Sequence, residues 1–473
     1  MKSKLHIALL SLFLAIIAIK IFPFIWLGIA ITLFILLFLI IDEKYFISFS
    51  IILFLILTSD LTVKYRNYIN VLLTLLLSYL YLKNFGLYSK ILHQLPNEIK
   101  SFVSLTIISM LLSSLFSDNI SYALIITLRQ LVFFSIIFIL FSFIKDKNSI
   151  FSYINSLIMV SIILGLGIIY EIISKGLTLF SISTNSFTQF SGLYSNPNEV
   201  GLLLNISIPM LIGVVIIKRS EQNKFKYFYF TTLAFLFSIL FLTDSRASIG
   251  AVLISTIFIL WRLKSKYLKY LSFSSATLIL LIIIVPVLNE YAGFYFRIGR
   301  IFENTRFYIW AMSLDMIKHN FFFGVGPDLF ESKIYTYLPV MLGTFAEHQI
   351  RLAGSGTSHN FFLYKFAEGG ILGFATAIYL FFIFFKISFI TEKKMKNINK
   401  DYYLLSVAIS SIGVGLFFRD MLESTGVLTN GWITRDLPFW LVFIIIIYFY
   451  QSLIGTEKKL EIISAKTNDR KVE

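Results

Sequence analysis

Residues 122–144 read YALIITLRQLVFFSIIFILFSFI, an apolar run broken by one charge, Arg129. A helix needs about 20 mostly apolar residues to cross a bilayer, and this run is long enough. An arginine at that depth is costly unless it has a partner, so Arg129 is expected to be paired. Similar runs, each bounded by charges, proline or glycine, occur at 5–22, 24–41, 45–59, 68–82, 102–116, 150–173, 200–217, 227–243, 247–261, 267–288, 361–387, 402–418 and 437–453. The expected fold is therefore all-α, a polytopic integral membrane helix bundle of about 12–14 spans. The runs at 45–59, 68–82, 102–116 and 247–261 are short, which predicts tilted or half-buried helices. The first run follows Lys2 and Lys4 and reads as a retained anchor rather than a cleaved signal.

Composition agrees. Of 473 residues, 57% are apolar and only 14% charged, too few to cover the interior of a water-soluble domain. With 41 basic and 26 acidic side chains the net charge is +15. In a soluble protein that would suggest nucleic acid, but in a membrane chain it reads first as topology, and no nucleic-acid partner is expected. Cysteine is absent, and the five histidines form neither an HExxH motif nor an i, i+4 pair. No metal site or cofactor is expected.

Placing both termini in the cytoplasm puts 42–44, 83–100, 145–147, 218–226, 262–269, 386–400 and both ends of the chain inside. These segments hold most of the basic residues, chiefly lysines. Arg66, Arg129, Arg246, Arg297, Arg300, Arg306, Arg351, Arg419 and Arg435 fall outside them. Guanidinium suits bidentate binding of phosphate, so this set points to an anionic ligand on the non-cytoplasmic face; loop solvation and lipid headgroup contact are the alternatives. The chain divides into an N-terminal bundle (1–288), a large non-cytoplasmic loop (289–358), C-terminal helices (359–454) and a cytoplasmic tail (455–473). Within the loop, 304–318 reads as an amphipathic helix with Phe307, Trp310, Leu314 and Ile317 at helical spacing, a stripe for packing onto the membrane surface or the bundle.

Four polar segments share the non-cytoplasmic face. Gly192-Leu193-Tyr194-Ser195-Asn196-Pro197-Asn198-Glu199 is turn-rich, with Asn196 starting a turn and Asn198 a candidate cap for the next helix. Asp244-Ser245-Arg246-Ala247-Ser248 joins two spans, and Asp244 is placed to neutralise Arg246. Arg306 and Trp310 lead to Gly324-Val325-Gly326, which lacks the Gly-Lys-Ser/Thr of a phosphate loop and reads as a turn. His359-Asn360 stands where the large loop re-enters the membrane, placed for a base or for a hydrogen-bonded structural histidine. Gly370 and Gly373 follow in the next span.

In this order the segments resemble the O-antigen ligase and O-antigen polymerase superfamily of bacterial envelope glycosyltransferases, over roughly 192–373. The spacing from His359-Asn360 to Gly370-x-x-Gly373 is the most specific element. The resemblance implies a type C glycosyltransferase-like bundle in the inner membrane, with its site on the periplasmic or extracellular face. Its donor would be an undecaprenyl-pyrophosphate-linked glycan and its acceptor a sugar, on lipid A core or a growing glycan. Carried over by motif, Arg246 and Arg306 hold the pyrophosphate and His359 activates the acceptor hydroxyl. Arg129, Asn196, Asn198, Asn360 and Arg300 are the further candidate substrate contacts. Ligation is the leading expectation, repeat-unit polymerisation the alternative, and a lipid-linked glycan transporter or flippase the reading from another class.

Overall fold

The computed structural model describes residues 41–56, 63–83, 95–177, 189–218, 225–264, 305–337, 343, 347 and 357–469. Among these residues there are thirteen helices and no strand. They are α1 (Glu43–Ile56), α2 (Val63–Lys83), α3 (Asn97–Leu115), α4 (Ile120–Ser142), α5 (Lys147–Ser174), α6 (Pro197–Lys218), α7 (Phe225–Leu242), α8 (Arg246–Arg262), α9 (Thr305–His319), α10 (Phe330–Ile334), α11 (Phe361–Met395), α12 (Lys400–Asp420) and α13 (Ile433–Asp469). Seven are long and apolar enough to cross a membrane: α3, α4, α5, α6, α11, α12 and the Ile433–Leu453 part of α13. The expected spans at 5–22 and 267–288, and all of 24–41 but its last residue, lie outside the described residues, as does Arg300. The other expected spans each coincide with a helix, so the chain is an all-α polytopic membrane protein.

Side chains at the helix starts fix their boundaries. Asn119 caps α4, Asp146 and Ser149 form a capping box on α5, and Asn399 caps α12. Helix α6 is apolar around its whole circumference and is buried along nearly all its length, so it sits inside the bundle, packed on α5, α7, α8 and α12. Small residues let the neighbours approach. A Cβ on Gly213 would meet Ala408, and one on Gly415 would meet Ser255 and the Ala251 carbonyl.

Helix α11 is kinked at Gly370, whose φ of 62° and ψ of −157° lie in a region open almost only to glycine. The kink frees backbone groups, and segment 321–326 takes them up. Val325 N donates to Ala367 O at 2.9 Å, Gly326 N to Glu368 O at 3.1 Å and Ile371 N to Phe321 O at 2.9 Å. Gly324, at φ 72°, passes so close that a Cβ there would overlap the Glu368 carbonyl, and a Cβ on Gly370 would overlap the Phe322 carbonyl. Gly324-Val325-Gly326 and Gly370 are thus two halves of one backbone crossing. Gly370→Ala is expected to destabilise the fold by about 3 kcal/mol or more, combining left-handed strain with backbone overlap. Thermal unfolding in detergent would show it, with Gly369→Ala as the mild neighbour, since its Cβ would meet only Ser109 Oγ at 3.3 Å.

Helix α9 forms as the amphipathic pattern predicts, but its buried face is rotated. Ile309, Met312, Met316 and Ile317 are buried against Val325, Phe330 and Tyr364, whereas Phe307 and Leu314 are exposed. The apolar spacing of 307, 310, 314 and 317 therefore mixes two faces, because both the inward and the outward side of this helix carry apolar residues. The outward pair suits contact with lipid.

The two ends of the bundle differ in character. One carries the lysine-rich connections, with ion pairs Lys147–Asp401 at 2.6 Å, Arg262–Glu392 at 2.6 Å and Lys386–Glu98 at 2.7 Å. At the other end the starts of α6, α8, α9, α11 and α13 gather around the connection 421–432 after α12.

Candidate active site

Connection 421–432 joins two spans yet lies inside the protein: Glu423, Ser424, Val427, Leu428, Thr429 and Asn430 are buried. Irregular backbone is tolerated at such depth only where the protein satisfies it. Asp436 Oδ2 accepts from Thr429 N at 2.5 Å, Thr429 Oγ1 accepts from Gly426 N at 3.1 Å, and Trp440 Nε1 donates to Val427 O at 2.7 Å.

Glu423 is the hub. Its Oε1 accepts from Arg306 Nη2 at 2.6 Å and from Asn198 Nδ2 at 3.3 Å, and its Oε2 lies 3.2 Å from His359 Nδ1. The carboxylate is only 6% exposed, while Arg306 and His359 are 27% and 30% exposed, so two half-open side chains rest on a buried anion. Burial alone would raise the Glu423 pKa. The His359 hydrogen bond and the Arg306 and Arg419 charges outweigh it and hold the group down at about 2, against an ordinary 4.5. A depressed carboxylate contributes stability at and above its ordinary value and loses it as pH falls from there through about 2. The wild type is therefore expected to lose a few kcal/mol between pH 5 and pH 2 that a Glu423→Gln variant does not lose, as read from unfolding midpoints across that window.

His359 stands at φ 50°, a left-handed conformation that costs a residue with a Cβ about 1–2 kcal/mol. Its neighbours hold it there. Asn360 caps α11 by accepting from Leu363 N at 3.0 Å, and its Nδ2 donates to Met421 O at 3.0 Å. Asn360 N also donates to Ser424 Oγ at 2.9 Å. The His-Asn pair is thereby bolted to the same connection that carries Glu423.

Asn196 and Asn198 divide the tasks differently from the expectation. Helix α6 begins at Pro197, so Asn196 takes the cap, its Oδ1 accepting from Asn198 N at 2.8 Å. Asn198 instead points into the site: Nδ2 meets Glu423, and Oδ1 accepts from Ser245 Oγ at 2.8 Å. Arg419, fully buried, donates to Asn198 O at 3.2 Å and Thr425 O at 2.7 Å. Through Ser245 the turn before α8 joins the network, and Arg246 is the next residue, its Nη2 lying 3.9 Å from Asp244 Oδ2.

Arg129 has the partners that its depth requires. It meets Asp328 Oδ2 at 3.1 Å and Asn430 O at 2.8 Å, and lies over Trp432 with its guanidinium carbon 4.9 Å from the ring centroid. Arg435 covers the same indole at 4.8 Å and pairs with Glu199 Oε1 at 2.7 Å. A continuous chain thus runs from Arg129 through Trp432, Arg435 and the start of α6 to Glu423. Arg306, His359, Asn198 and Asn360 come together at the hub, and Arg246 and Asn196 flank it. Arg129 belongs to the adjoining cluster.

Sequence reasoning missed Glu423, Trp432 and Asp328, and treated Arg419 and Arg435 only as outward charges. The signal was present in RDMLESTGVLTNGWITRD (419–436), a short connection unusually dense in ionisable residues and glycine.

Residues 231–378 match a family model described as O-Antigen ligase. The match runs from within α7 to within α11 and contains Arg246, Arg306, His359 and Asn360. Arg129, Asn196, Asn198, Glu423 and Arg435 lie outside it. It supports the O-antigen ligase superfamily and a glycosyltransferase-like enzyme acting on lipid-linked glycans within a bilayer. No curated protein matches the chain.

Proposed function

We propose that this chain, whose residues 231–378 match the O-Antigen ligase family model, transfers an undecaprenyl-pyrophosphate-linked oligosaccharide en bloc onto an acceptor sugar hydroxyl. The observation that carries the reading is the pair of contacts on Glu423, with His359 on one oxygen and Arg306 on the other. A carboxylate at Nδ1 favours the tautomer with its proton there and leaves Nε2 as the acceptor, the orientation logic of a histidine base.

In the reaction, Nε2 of His359 takes the proton of the acceptor hydroxyl as its oxygen attacks the anomeric carbon. The bond from that carbon to the pyrophosphate oxygen breaks, and the electron pair leaves on the pyrophosphate. One displacement inverts the centre. Arg306 and Arg246 stabilise the developing phosphate charge, the task a metal ion performs in other transferases, and Arg129 with Arg435 extends the cationic surface along the same connection. The charge asymmetry supports a cytoplasmic orientation of the lysine-bearing end and, with it, a hub that works on the periplasmic or extracellular side. Ligation to lipid A core is the leading acceptor choice; polymerisation differs only in using a growing glycan.

Incubating the purified protein with lipid-pyrophosphate-linked oligosaccharide and either acceptor is expected to yield the transferred glycan with an inverted linkage. Headgroup translocation in vesicles with no new glycosidic bond would overturn the reading in favour of a transporter. Arg306→Ala is expected to lower the transfer rate about 10²–10³-fold, the usual cost of deleting one donor to developing charge.

A further inference from the structure

At the end of the bundle opposite Glu423, the last turns of α8 and α11 and the start of α12 enclose a cavity of about 580 Å³. Its wall carries four cationic side chains, Arg262, Lys264, Lys393 and Lys396, against one acid, Glu392. Arg262 pairs with Glu392 Oε1 at 2.6 Å, while the three lysines make no ion pair among the described residues. Glu392 is 3% exposed, and its Oε2 is buried with no hydrogen-bond partner. A buried acceptor of this kind calls for a donor.

The apolar wall is aromatic. Phe258 and Phe389 stack with centroids 6.3 Å apart, Phe258 packs edge-on to Trp261, and Arg262 lies over both Phe258 and Trp261. Trp261, Phe389 and Ile257 are exposed, so the cavity opens along the outward faces of α8 and α11. An aromatic belt below a basic cluster is the arrangement found where a helix end meets the membrane–water interface.

We propose that this cavity binds one anionic membrane phospholipid whose headgroup carries a hydroxyl donor, phosphatidylglycerol being the simplest. The phosphodiester is held by Lys264, Lys393 and Lys396 with Arg262, a headgroup hydroxyl donates to Glu392 Oε2, and the acyl chains lie along Ile257, Trp261 and Phe389. Net positive charge selects an anionic over a zwitterionic lipid. The orphan acceptor selects a headgroup with a donor.

Native mass spectrometry of the full chain in mild detergent, after incubation with defined lipids, tests this. Phosphatidylglycerol is expected to be retained above both phosphatidylcholine, which is zwitterionic, and phosphatidylmethanol, which is anionic but has no hydroxyl. Lys393→Gln and Lys396→Gln are each expected to weaken retention about fivefold, the effect of removing one basic residue near an anionic surface. An unchanged unfolding midpoint in phosphatidylcholine micelles would show these variants folded. Equal retention of phosphatidylcholine, unchanged retention in the folded double variant, or displacement of the lipid by millimolar inorganic phosphate would overturn the lipid assignment. Equal retention of phosphatidylmethanol would overturn the role of Glu392.

Discussion

Replacing His359 with asparagine is expected to lower the rate of glycan transfer by about 10²–10⁴-fold, the usual contribution of a positioned general base. Asparagine is the informative choice because position 359 sits at φ 50°, which asparagine tolerates better than other residues with a Cβ. The backbone clamp through Asn360 and Ser424 then persists while the imidazole is removed. His359→Ala would confound lost chemistry with lost geometry. Donor retention should be little changed in the asparagine variant, since Arg306 keeps its place on Glu423, so the loss is expected in kcat rather than in the KM for donor. Full activity in a folded His359→Asn variant would sink the mechanism.

Helix positions were readable from the sequence because a span is a local signal. Each expected span that falls on described residues coincides with a helix, down to the short 247–261, which forms as Arg246–Arg262. The candidate site was readable only in part, for a physical reason. Arg246, Arg306 and His359 stand in segments where a polar residue interrupts an apolar pattern. Glu423 does not stand out that way, because its meaning depends on three other segments meeting it. Nothing near 423 shows that Asn198 and Arg306 arrive from positions 225 and 117 residues away. The exchange of tasks between Asn196 and Asn198 has the same cause: either asparagine can cap a helix, and which one does so was settled by where the helix begins. The Gly370 and Gly373 spacing was visible, but its use was not. Gly370 serves a backbone crossing with Phe321–Gly326, and a Cβ on Gly373 would overlap the Lys365 carbonyl of its own kinked helix, neither of which periodicity reveals.

Glu423→Gln is the second substitution with a large expected effect, a fall in transfer rate of about 10²–10⁴-fold although residue 423 itself touches no reacting atom. The amide keeps the size of the side chain but removes the charge that orients His359 through Nδ1 and stabilises its protonated form during transfer. Because an amide can present its NH2 to the ring, the wrong tautomer becomes available, with the proton on Nε2 where the acceptor hydroxyl needs a base. Arg306 meanwhile loses its counter-charge and becomes a stronger site for the donor pyrophosphate. The two effects pull the kinetic constants apart: kcat falls, while the KM for the donor stays level or decreases. A purely structural role for Glu423 predicts another pattern, a smaller folded fraction with kcat and KM unchanged in the molecules that remain. Glu423→Asp retains the charge on a shorter stem, so it should recover part of the rate if charge is what His359 requires. Recovery no greater than in the glutamine variant would instead mean that the distances on the two carboxylate oxygens matter as much as the charge they carry.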